Sequence, residues 1–291
     1  MAGMNKETND RPIMFGARNS LIGIVTRPVP HSSEPLPAIV VLNTGILYRI
    51  GNNLMYVTLA RTLAGAGCTV LRFDMSGIGD SDNRGGGLAP LEACLADVRD
   101  AVDWLAANLH VRQVILVGLC AGADHALLAS ADRRVRGLVL IDPNMPPNFS
   151  DLFRGFRRSV LRPGEWTTFF KEQGLGGLMW RILQRTLDKA ERVKWQDPIR
   201  RSQLREAYQN AVYSEIQMLV IFTKAGRHKT LANLVDNPNA TEVFRIERSD
   251  RTDHFFSFEA DRTKLSDVMV NWVRETAFRE GSRCTADKQI R

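Results

Sequence analysis

Long apolar runs are absent from this sequence of 291 residues, and none approaches the roughly 20 consecutive residues that a membrane-spanning helix needs. The opening stretch MAGMNKETNDRP is polar and lacks the apolar segment of a secretory signal peptide. These two absences lead us to expect a cytoplasmic protein without a transmembrane segment. The hydrophobic content of 44% and the charged content of 24% are those of an ordinary globular chain.

Cysteine is scarce, with four residues and no CxxC pair or other spacing typical of a metal site. We therefore expect free thiols, as in a reducing compartment, and neither a metal ion nor another cofactor. Cys68 leads into a strand, Cys94 lies on a predicted helix and Cys284 belongs to a polar tail, so structural roles account for these three. We also expect no nucleic-acid partner.

Positive charge is concentrated in one part of the chain, whose formal net charge is +7. Residues 143–205 contain 13 Lys and Arg against 6 Asp and Glu, which gives +7 for this segment alone. A helical surface exposed to water would explain the pattern. The alternative is a basic rim that attracts an anionic substrate or an acidic partner protein.

Apolar runs alternate with longer amphipathic segments, a pattern typical of a mainly parallel sheet covered by helices. The predicted strands cover residues 21–27, 38–43, 69–74, 113–118, 137–142, 217–223 and 242–247. The predicted helices cover residues 53–66, 90–109, 122–131 and 260–279.

The alternation stops once, from Pro143 to about Tyr213, where prolines precede helix-like pieces rich in aromatics and arginine. Such a length between two strands is too great for a connecting loop. We predict a helical cap at 143–213, inserted into an α/β core made of 19–142 and 214–279. Residues 1–18 and 280–291 are predicted to be flexible ends.

The stretch GLCAGADHA, residues 118–126, joins a predicted buried strand to a predicted helix. Glycine, cysteine and glycine alternate there, as in a nucleophile elbow with Cys120 at the nucleophile position. The start of the helix favours a thiolate, and the N–H of Ala121 is positioned to donate to an oxyanion. A small residue that fills a tight turn is the alternative for Cys120. Leu119, beside it, is a candidate substrate contact.

A second oxyanion donor is expected from the loop Thr44–Gly51, which follows the strand AIVVLN. Gly45 permits a tight turn and is a candidate substrate contact, and the N–H of Ile46 is the candidate donor. A plain connection from strand to helix is the alternative.

Of five histidines, His254 alone follows the last predicted strand, in RSDRTDHFFSF. We predict that His254 is the general base or imidazolium partner of Cys120. His31 lies in a polar stretch and is predicted to be a surface residue. His110 ends a helix and His125 lies one turn into the helix after Cys120, so structural roles are predicted for these two.

These features together resemble the α/β-hydrolases, and more closely the hydrolases associated with the exosortase A system. The closer resemblance rests on Tyr48-Arg49-Ile50-Gly51, on the helix end Leu59-Ala60-Arg61, on the strand Val70–Asp74 and on Gly118-Leu119-Cys120. It covers roughly residues 20–275. The resemblance implies an α/β-hydrolase fold and a nucleophile, histidine and acid triad.

The acid of the triad departs from the usual arrangement of that superfamily. The resemblance places it after the strand QMLVIFT, where the sequence KAGRHKT offers His228 but no carboxylate, and Asp236 lies too far along. The superfamily also uses the end of the strand after the nucleophile helix, and Asp142 is there. A carboxylate that caps the turn before Pro143 is the alternative. Asp74, by contrast, is predicted to be structural.

The sequence therefore predicts an ester or thioester hydrolase that acts through Cys120, His254 and Asp142. A cysteine acyl-enzyme also suits acyl transfer, or release of an acyl chain bound to a carrier protein. The third alternative is a binding protein on a degenerate hydrolase fold. Arg157 and Arg158 of the predicted cap are candidates for binding a small or carrier-bound acyl substrate of negative charge.

Overall fold

The computed structural model of the chain describes residues 9–28, 36–144, 198–224 and 240–288. Its strands are β1 Asn9–Phe15, β2 Leu21–Arg27, β3 Ala38–Val41, β4 Val70–Phe73, β5 Val114–Leu119, β6 Val135–Ile141, β7 Gln217–Phe222 and β8 Phe244–Arg248. Its α-helices are α1 Met55–Gly65, α2 Pro90–Leu109, α3 Ala121–Leu128, α4 Pro198–Tyr213, α5 Ala240–Val243 and α6 Glu259–Lys288. For the seven strands that the sequence predicts, the observed bounds differ by at most two residues.

The eight strands form one sheet in the order β1-β2-β4-β3-β5-β6-β7-β8. Strands β3 to β8 run parallel, and at one edge β2 is antiparallel to both of its neighbours, β1 and β4. The carboxyl ends of the parallel strands meet at the same edge of the sheet. The segments after β3, β5, β6 and β8 are therefore brought together there, and these segments carry the candidate site.

Alternation along the central strands divides the core into two layers. In β3, Ile39 and Val41 belong to a buried cluster with α1 and α6, whereas Val40 faces a cluster with α2, α3 and α4. Both faces of the sheet are thus apolar and covered by helices, as is usual for a parallel sheet. The mainly parallel sheet between two helical layers confirms the predicted fold class.

Helix α2 illustrates how local sequence sets the ends of an element. Pro90 occupies the first turn, where the missing N–H costs nothing, and the Glu92 carboxylate accepts the N–H of Ala89 at 3.1 Å. His110 ends the helix in the left-handed conformation, with φ of 54°. The predicted bounds, 90–109, are confirmed.

The amino-terminal end differs from the prediction, because residues 9–15 form β1 rather than part of a flexible tail. Asp10 anchors the strand: it accepts a hydrogen bond from Thr26 Oγ1 at 2.5 Å and pairs with Arg61 at 2.9 Å. The strand is polar, contains Pro12 and has only one buried side chain, that of Phe15. Edge strands often have this composition, so the periodic pattern of a strand is missing.

The predicted cap also needs a narrower boundary. Residues 198–213 form α4, and Leu204, Tyr208 and Ala211 are buried in the same cluster as α3. These residues therefore belong to the helical layer of the core. The rest of the predicted cap, from residue 145 to 197, lies outside the described residues. At the other end of the chain, α6 continues to Lys288, beyond the predicted bound of 279.

Candidate functional site

Cys120 occupies a strained turn between β5 and α3. Its backbone has φ of 57° and ψ of −115°, a conformation that non-glycine residues rarely adopt. Its N–H donates to the carbonyl of Ile141 at 2.8 Å, which ties the turn to the end of β6. The side chain is half-buried. This is the backbone geometry that a nucleophile elbow requires.

The two glycines that flank Cys120 allow the strand and the helix to approach each other. A Cβ atom on Gly118 would lie 2.1 Å from the backbone of Gly122. A Cβ atom on Gly122 would in turn lie 2.5 Å from the carbonyl oxygen of Asn43. Both positions exclude any side chain, so the alternation of glycines in the sequence reflects a real close approach.

His254 lies in the turn between β8 and α6, and its ring bridges Cys120 and Asp142. The Nδ1 atom is 2.7 Å from Asp142 Oδ2, and the ring also hydrogen-bonds the Cys120 thiol. The bond to Asp142, followed by the bond to Cys120, raises the pKa of His254 to about 9, although burial opposes the shift. The ring therefore retains its proton over the neutral range.

Asp142 follows β6 directly and is almost completely buried, with a positive φ of 44°. Thr223, at the end of β7, donates its N–H to Oδ1 at 2.9 Å and its hydroxyl to Oδ2. Burial alone would raise the pKa of Asp142, but the bonds from His254 and Thr223 outweigh it, so the pKa lies below its usual value. The carboxylate is thus held ionised against the imidazole.

The same contacts change the acidity of Cys120. The hydrogen bond with His254 lowers the pKa of the thiol, burial opposes this, and the charge of His254 and the N–H of Ala121 lower it further. The negative charge of Asp124 works in the other direction. The net shift is downward, so the pair favours a thiolate beside an imidazolium. Such a pair is suited to nucleophilic attack on a carbonyl carbon.

The two candidate oxyanion donors are the N–H groups of Ala121 and Ile46. The Ala121 N–H points to the Cys120 sulfur, since it contributes a hydrogen bond there. Gly45 has φ of +55°, and Ile46 is 87% exposed. Within the part of the chain that the structure describes, the Ile46 N–H has no backbone acceptor. The Ile46 N–H is thus free of a backbone partner, and the Ala121 N–H is directed at the reacting sulfur; both stay candidates for an oxyanion.

Leu119 does not fit the predicted role of a substrate contact. Its side chain is fully buried in the cluster beneath α1, together with Ile115 and Val117. The reason is the alternation along β5, which turns every second side chain towards that helical layer. Gly45 keeps its candidate role, because no atom lies within 4 Å of the place where its Cβ would be.

Asn43, which the sequence analysis missed, organises the 44–51 loop. Its side-chain amide donates to the carbonyl of Leu47 at 2.8 Å, and its Oδ1 accepts the N–H of Met75 at 2.8 Å. Its carbonyl meets Gly122, as described above. An asparagine immediately after a buried strand is the available signal, but its partners are distant in the sequence.

A second anchor of this loop is the ion pair between Arg49 and the buried Asp74. Asp74 also accepts the N–H of Arg49 at 2.6 Å, and Arg49 contacts Asp80 at 2.5 Å. The structural role predicted for Asp74 agrees with these contacts. Burial leaves Asp74 dependent on its partner, because a buried charge is costly without one.

Asp124 was also missed as part of the surroundings of the site. This buried carboxylate accepts the N–H of Asn144 at 3.0 Å and its side-chain amide at 2.8 Å. The helix that begins after Cys120 is thereby connected to the turn that begins with Asp142. Its position four residues after Cys120, one helical turn along, was the signal in the sequence.

Several predicted residues lie outside the described ranges: Arg157, Arg158, His228, Asp236 and His31. Asp253 is a turn residue whose carboxylate accepts the N–H of Phe255 at 2.7 Å. Among the described residues, no cluster of three or more His, Cys, Asp or Glu is arranged to hold a metal ion. In the same ranges no helix combines the length and the apolar character needed to cross a membrane.

Solved structures of similar fold include several α/β hydrolases. An α/β serine hydrolase without lid from Xanthomonas campestris is 20% identical and has a TM-score of 0.53, with 94% of this chain and 96% of that chain covered. An esterase from Pyrococcus furiosus is 14% identical with a TM-score of 0.55, covering 93% and 91%. An α/β serine hydrolase homologue from Coxiella burnetii is 15% identical with a TM-score of 0.55, covering 93% and 99%.

No curated protein matches the chain. The sequence model of one family does match, over residues 48–277, and its description is alpha/beta hydrolase family. The match includes Cys120, Asp142 and His254, and these three candidates follow one another along the chain in the order that the fold uses for nucleophile, acid and histidine. The chain belongs to the α/β hydrolase family of enzymes.

Proposed function

We propose that the protein cleaves an ester or thioester through an acyl-enzyme on Cys120. The observation that carries the proposal is the position of His254, whose ring contacts the Cys120 thiol on one side and the Asp142 carboxylate on the other. A nucleophile, a base and a group that orients the base are the three elements of this chemistry. Family membership and the similarity to an esterase fold support it.

In the acylation step, the Cys120 thiolate attacks the carbonyl carbon and a C–S bond forms. The N–H groups of Ala121 and Ile46 donate to the oxyanion that develops. His254 then gives its Nε2 proton to the departing oxygen or sulfur as the bond to the leaving group breaks. The product of this step is a thioester on Cys120.

Deacylation requires His254 in the opposite role. Neutral His254 takes a proton from water as the water oxygen attacks the thioester carbon, and the thiolate of Cys120 leaves. Asp142 accepts the Nδ1–H of the ring in both steps, which fixes the tautomer and stabilises the imidazolium. The carboxylic acid product is released, and the thiolate–imidazolium pair of Cys120 and His254 is restored.

Acyl transfer is the second candidate, and the cysteine at position 120 favours it. A thioester acyl-enzyme reacts readily with amines and thiols, whereas water must be well activated to compete. The basic segment at residues 143–205 would suit an acidic carrier protein or a small anionic substrate. The substrate in this case is an acyl chain bound to a carrier, which the enzyme releases or transfers.

The branch of the family is a further proposal. The similarity to the exosortase-associated hydrolases rests on the 48–51 motif and on Gly118-Leu119-Cys120. Polysaccharide-export genes beside the gene for this protein would favour that branch. Genes for carrier proteins or synthases would favour acyl transfer.

Turnover of p-nitrophenyl esters and acyl thioesters, with mass spectrometry of the intact protein, tests the proposal. We expect a covalent acyl adduct on Cys120, loss of turnover in Cys120→Ala, and a small residual rate in Cys120→Ser. Retained turnover in Cys120→Ala would remove the cysteine mechanism. A folded wild-type protein that neither turns over nor forms an adduct would favour the binding-protein alternative. Added amines or thiols separate hydrolysis from transfer, because only transfer yields amide or thioester products.

A further inference from the structure

Tyr56, in the first turn of α1, has a hydroxyl group inside the protein beside the candidate site. The side chain is completely buried. Its hydroxyl lies 2.6 Å from Thr44 Oγ1 and also hydrogen-bonds the backbone of Leu119. Burial raises the pKa of Tyr56 to about 12, so the group remains a neutral phenol at any working pH.

The two partners of this hydroxyl belong to different parts of the site. Thr44 immediately precedes Gly45 and Ile46, which carry the candidate second oxyanion donor. Leu119 immediately precedes Cys120. One oxygen atom therefore connects the donor loop with the residue before the nucleophile.

Tyr56 holds the far end of the 44–51 loop as well. Its N–H donates to the carbonyl of Ile50 at 3.1 Å. Gly51 has φ of +69°, and a Cβ atom there would lie 2.9 Å from the Tyr56 ring. The ring and backbone thus fix the end of the loop, whereas the hydroxyl fixes its beginning.

Packing alone does not hold the beginning of the loop in place. Gly45 has open space where a side chain would be, and Ile46 is largely exposed. An oxyanion donor has to lie about 2.7–3.1 Å from the developing charge, so a small displacement of the loop weakens its contribution. The Leu47 N–H donates to the Thr44 carbonyl at 3.0 Å, and the short bond from the buried Tyr56 side chain adds a constraint on the Thr44 side chain.

We propose that the Tyr56 hydroxyl is a positioning group that sets the distance between the Ile46 N–H and Cys120. This inference rests on the proposed function, because it concerns the oxyanion of an acyl-transfer reaction. Tyr56 does not touch the substrate. It acts through Thr44 on one side and through Leu119 on the other.

Two reactions of the same cysteine separate this role from a general structural one. Acylation by an ester develops an oxyanion, whereas alkylation by iodoacetamide needs only the thiolate. In Tyr56→Phe, which keeps the ring, we expect acylation and kcat to fall on the order of 10- to 100-fold, below the loss for deletion of a donor. We expect KM and the rate of Cys120 alkylation to stay within about twofold of the wild-type values.

Thr44 provides the matched variants. Thr44→Val should reproduce the loss, whereas Thr44→Ser, which keeps the hydroxyl, should retain most of the wild-type rate. The double variant Thr44→Val with Tyr56→Phe should lose little more than either single variant. Wild-type acylation in Tyr56→Phe, or an equal fall in acylation and alkylation, would overturn the inference alone. If the wild-type protein shows no turnover, or if its turnover does not depend on Cys120, the proposed function is overturned, and this inference with it.

Discussion

At the scale of single residues, the site depends on how the two oxygens of Asp142 are used. Oδ2 accepts hydrogen bonds from both His254 and the Thr223 hydroxyl, while Oδ1 accepts the Thr223 N–H. An amide at this position keeps one acceptor oxygen for Thr223. Its NH₂ group would then face the Nδ1–H of His254, donor against donor, or force the other tautomer of the ring.

Asp142→Asn should therefore lower kcat/KM while the protein stays folded. A thiolate depends less on the acid than a serine does, so we expect a loss on the order of 10- to 10³-fold rather than the roughly 10⁴-fold seen for a serine triad. Steady-state kinetics with a melting curve measure both quantities. Asp253→Asn is the control, since Asp253 serves the neighbouring turn. Full activity in Asp142→Asn would leave a dyad of Cys120 and His254.

The pH dependence of kcat/KM should be bell-shaped. Activity rises as the Cys120 thiol, whose pKa is lowered, loses its proton, and it falls as His254 loses its proton around pH 9. Because the bond to Asp142 is the largest cause of the raised pKa of His254, Asp142→Asn should move the alkaline limb to lower pH. An alkaline limb at the same pH in both proteins would contradict the assignment of this limb to His254 beside Asp142.

At the scale of elements, the junction of β5 with α3 is the tightest part of the site. Gly122 touches the carbonyl oxygen of Asn43, so the elbow helix rests on the start of the 44–51 loop. Asn43 holds this loop through its bond to Leu47, and it holds the loop after β4 through its bond to Met75. Any side chain at position 122 must therefore displace the Asn43 backbone, which connects the elbow helix, the 44–51 loop and the loop after β4.

Gly122→Ala should destabilise the protein by about 3 kcal/mol, at the upper end of overpacking costs, because the contact is with backbone. Gly86→Ala is a matched control: Gly86 has φ of +83°, but nothing lies within 4 Å of its Cβ position. In Gly86→Ala only the left-handed backbone conformation is unfavourable for alanine, and it should lower the free energy of unfolding by about 1–2 kcal/mol. Urea unfolding measures both. Because Gly122 lies in a helix, where alanine is otherwise favoured over glycine, wild-type stability in Gly122→Ala would mean that the close approach to Asn43 costs nothing.

Elements with a regular pattern were predictable from sequence, and those without one were not. Strand β5 and helix α2 have apolar periodicity and clear ends, such as Pro90 and His110. Strand β1 is polar because it lies at an edge. Helix α4 falls within the predicted cap because the segment 143–213 shows no strand pattern and is too long for a loop, although Tyr208 and Leu204 are buried in the core.

The candidate triad was predictable because chain order and strand ends restrict the choice. Cys120, Asp142 and His254 each follow a strand directly or within the next turn, and their chain order matches the fold. Tyr56 and Thr223 were not found, because hydrogen bonds between distant segments leave no local periodic pattern. The prediction for Leu119 was wrong, because its position beside Cys120 does not reveal that its side chain faces the helical layer formed by α1.

At the scale of the whole molecule, the charge of +7 is expected to affect substrate capture rather than chemistry. If the basic segment recruits an anionic or carrier-bound substrate, raising salt from about 50 mM to 500 mM should raise KM with little change in kcat. A neutral ester should show no such dependence, which makes it the control substrate. A KM that does not change with salt would indicate that the basic segment is only a surface exposed to water.

Charge reversal extends this test to named positions. Arg157→Glu and Arg158→Glu should raise KM for the anionic substrate, as salt does. Arg112 is exposed just before β5, at the opposite edge of the sheet from Cys120, so Arg112→Glu should leave KM unchanged. An equal effect of all three variants would indicate a non-specific influence of net charge.

The position of Asp142 at the end of β6 has a consequence for how the family can diversify. If Asp142 is the acid of the proposed triad, the connection between β7 and β8 need supply no member of it. Selection can then act on the length and composition of that connection through the substrate alone, without a penalty in the chemical step. We therefore expect the length of this connection to tolerate insertion or deletion without a change in the proposed triad.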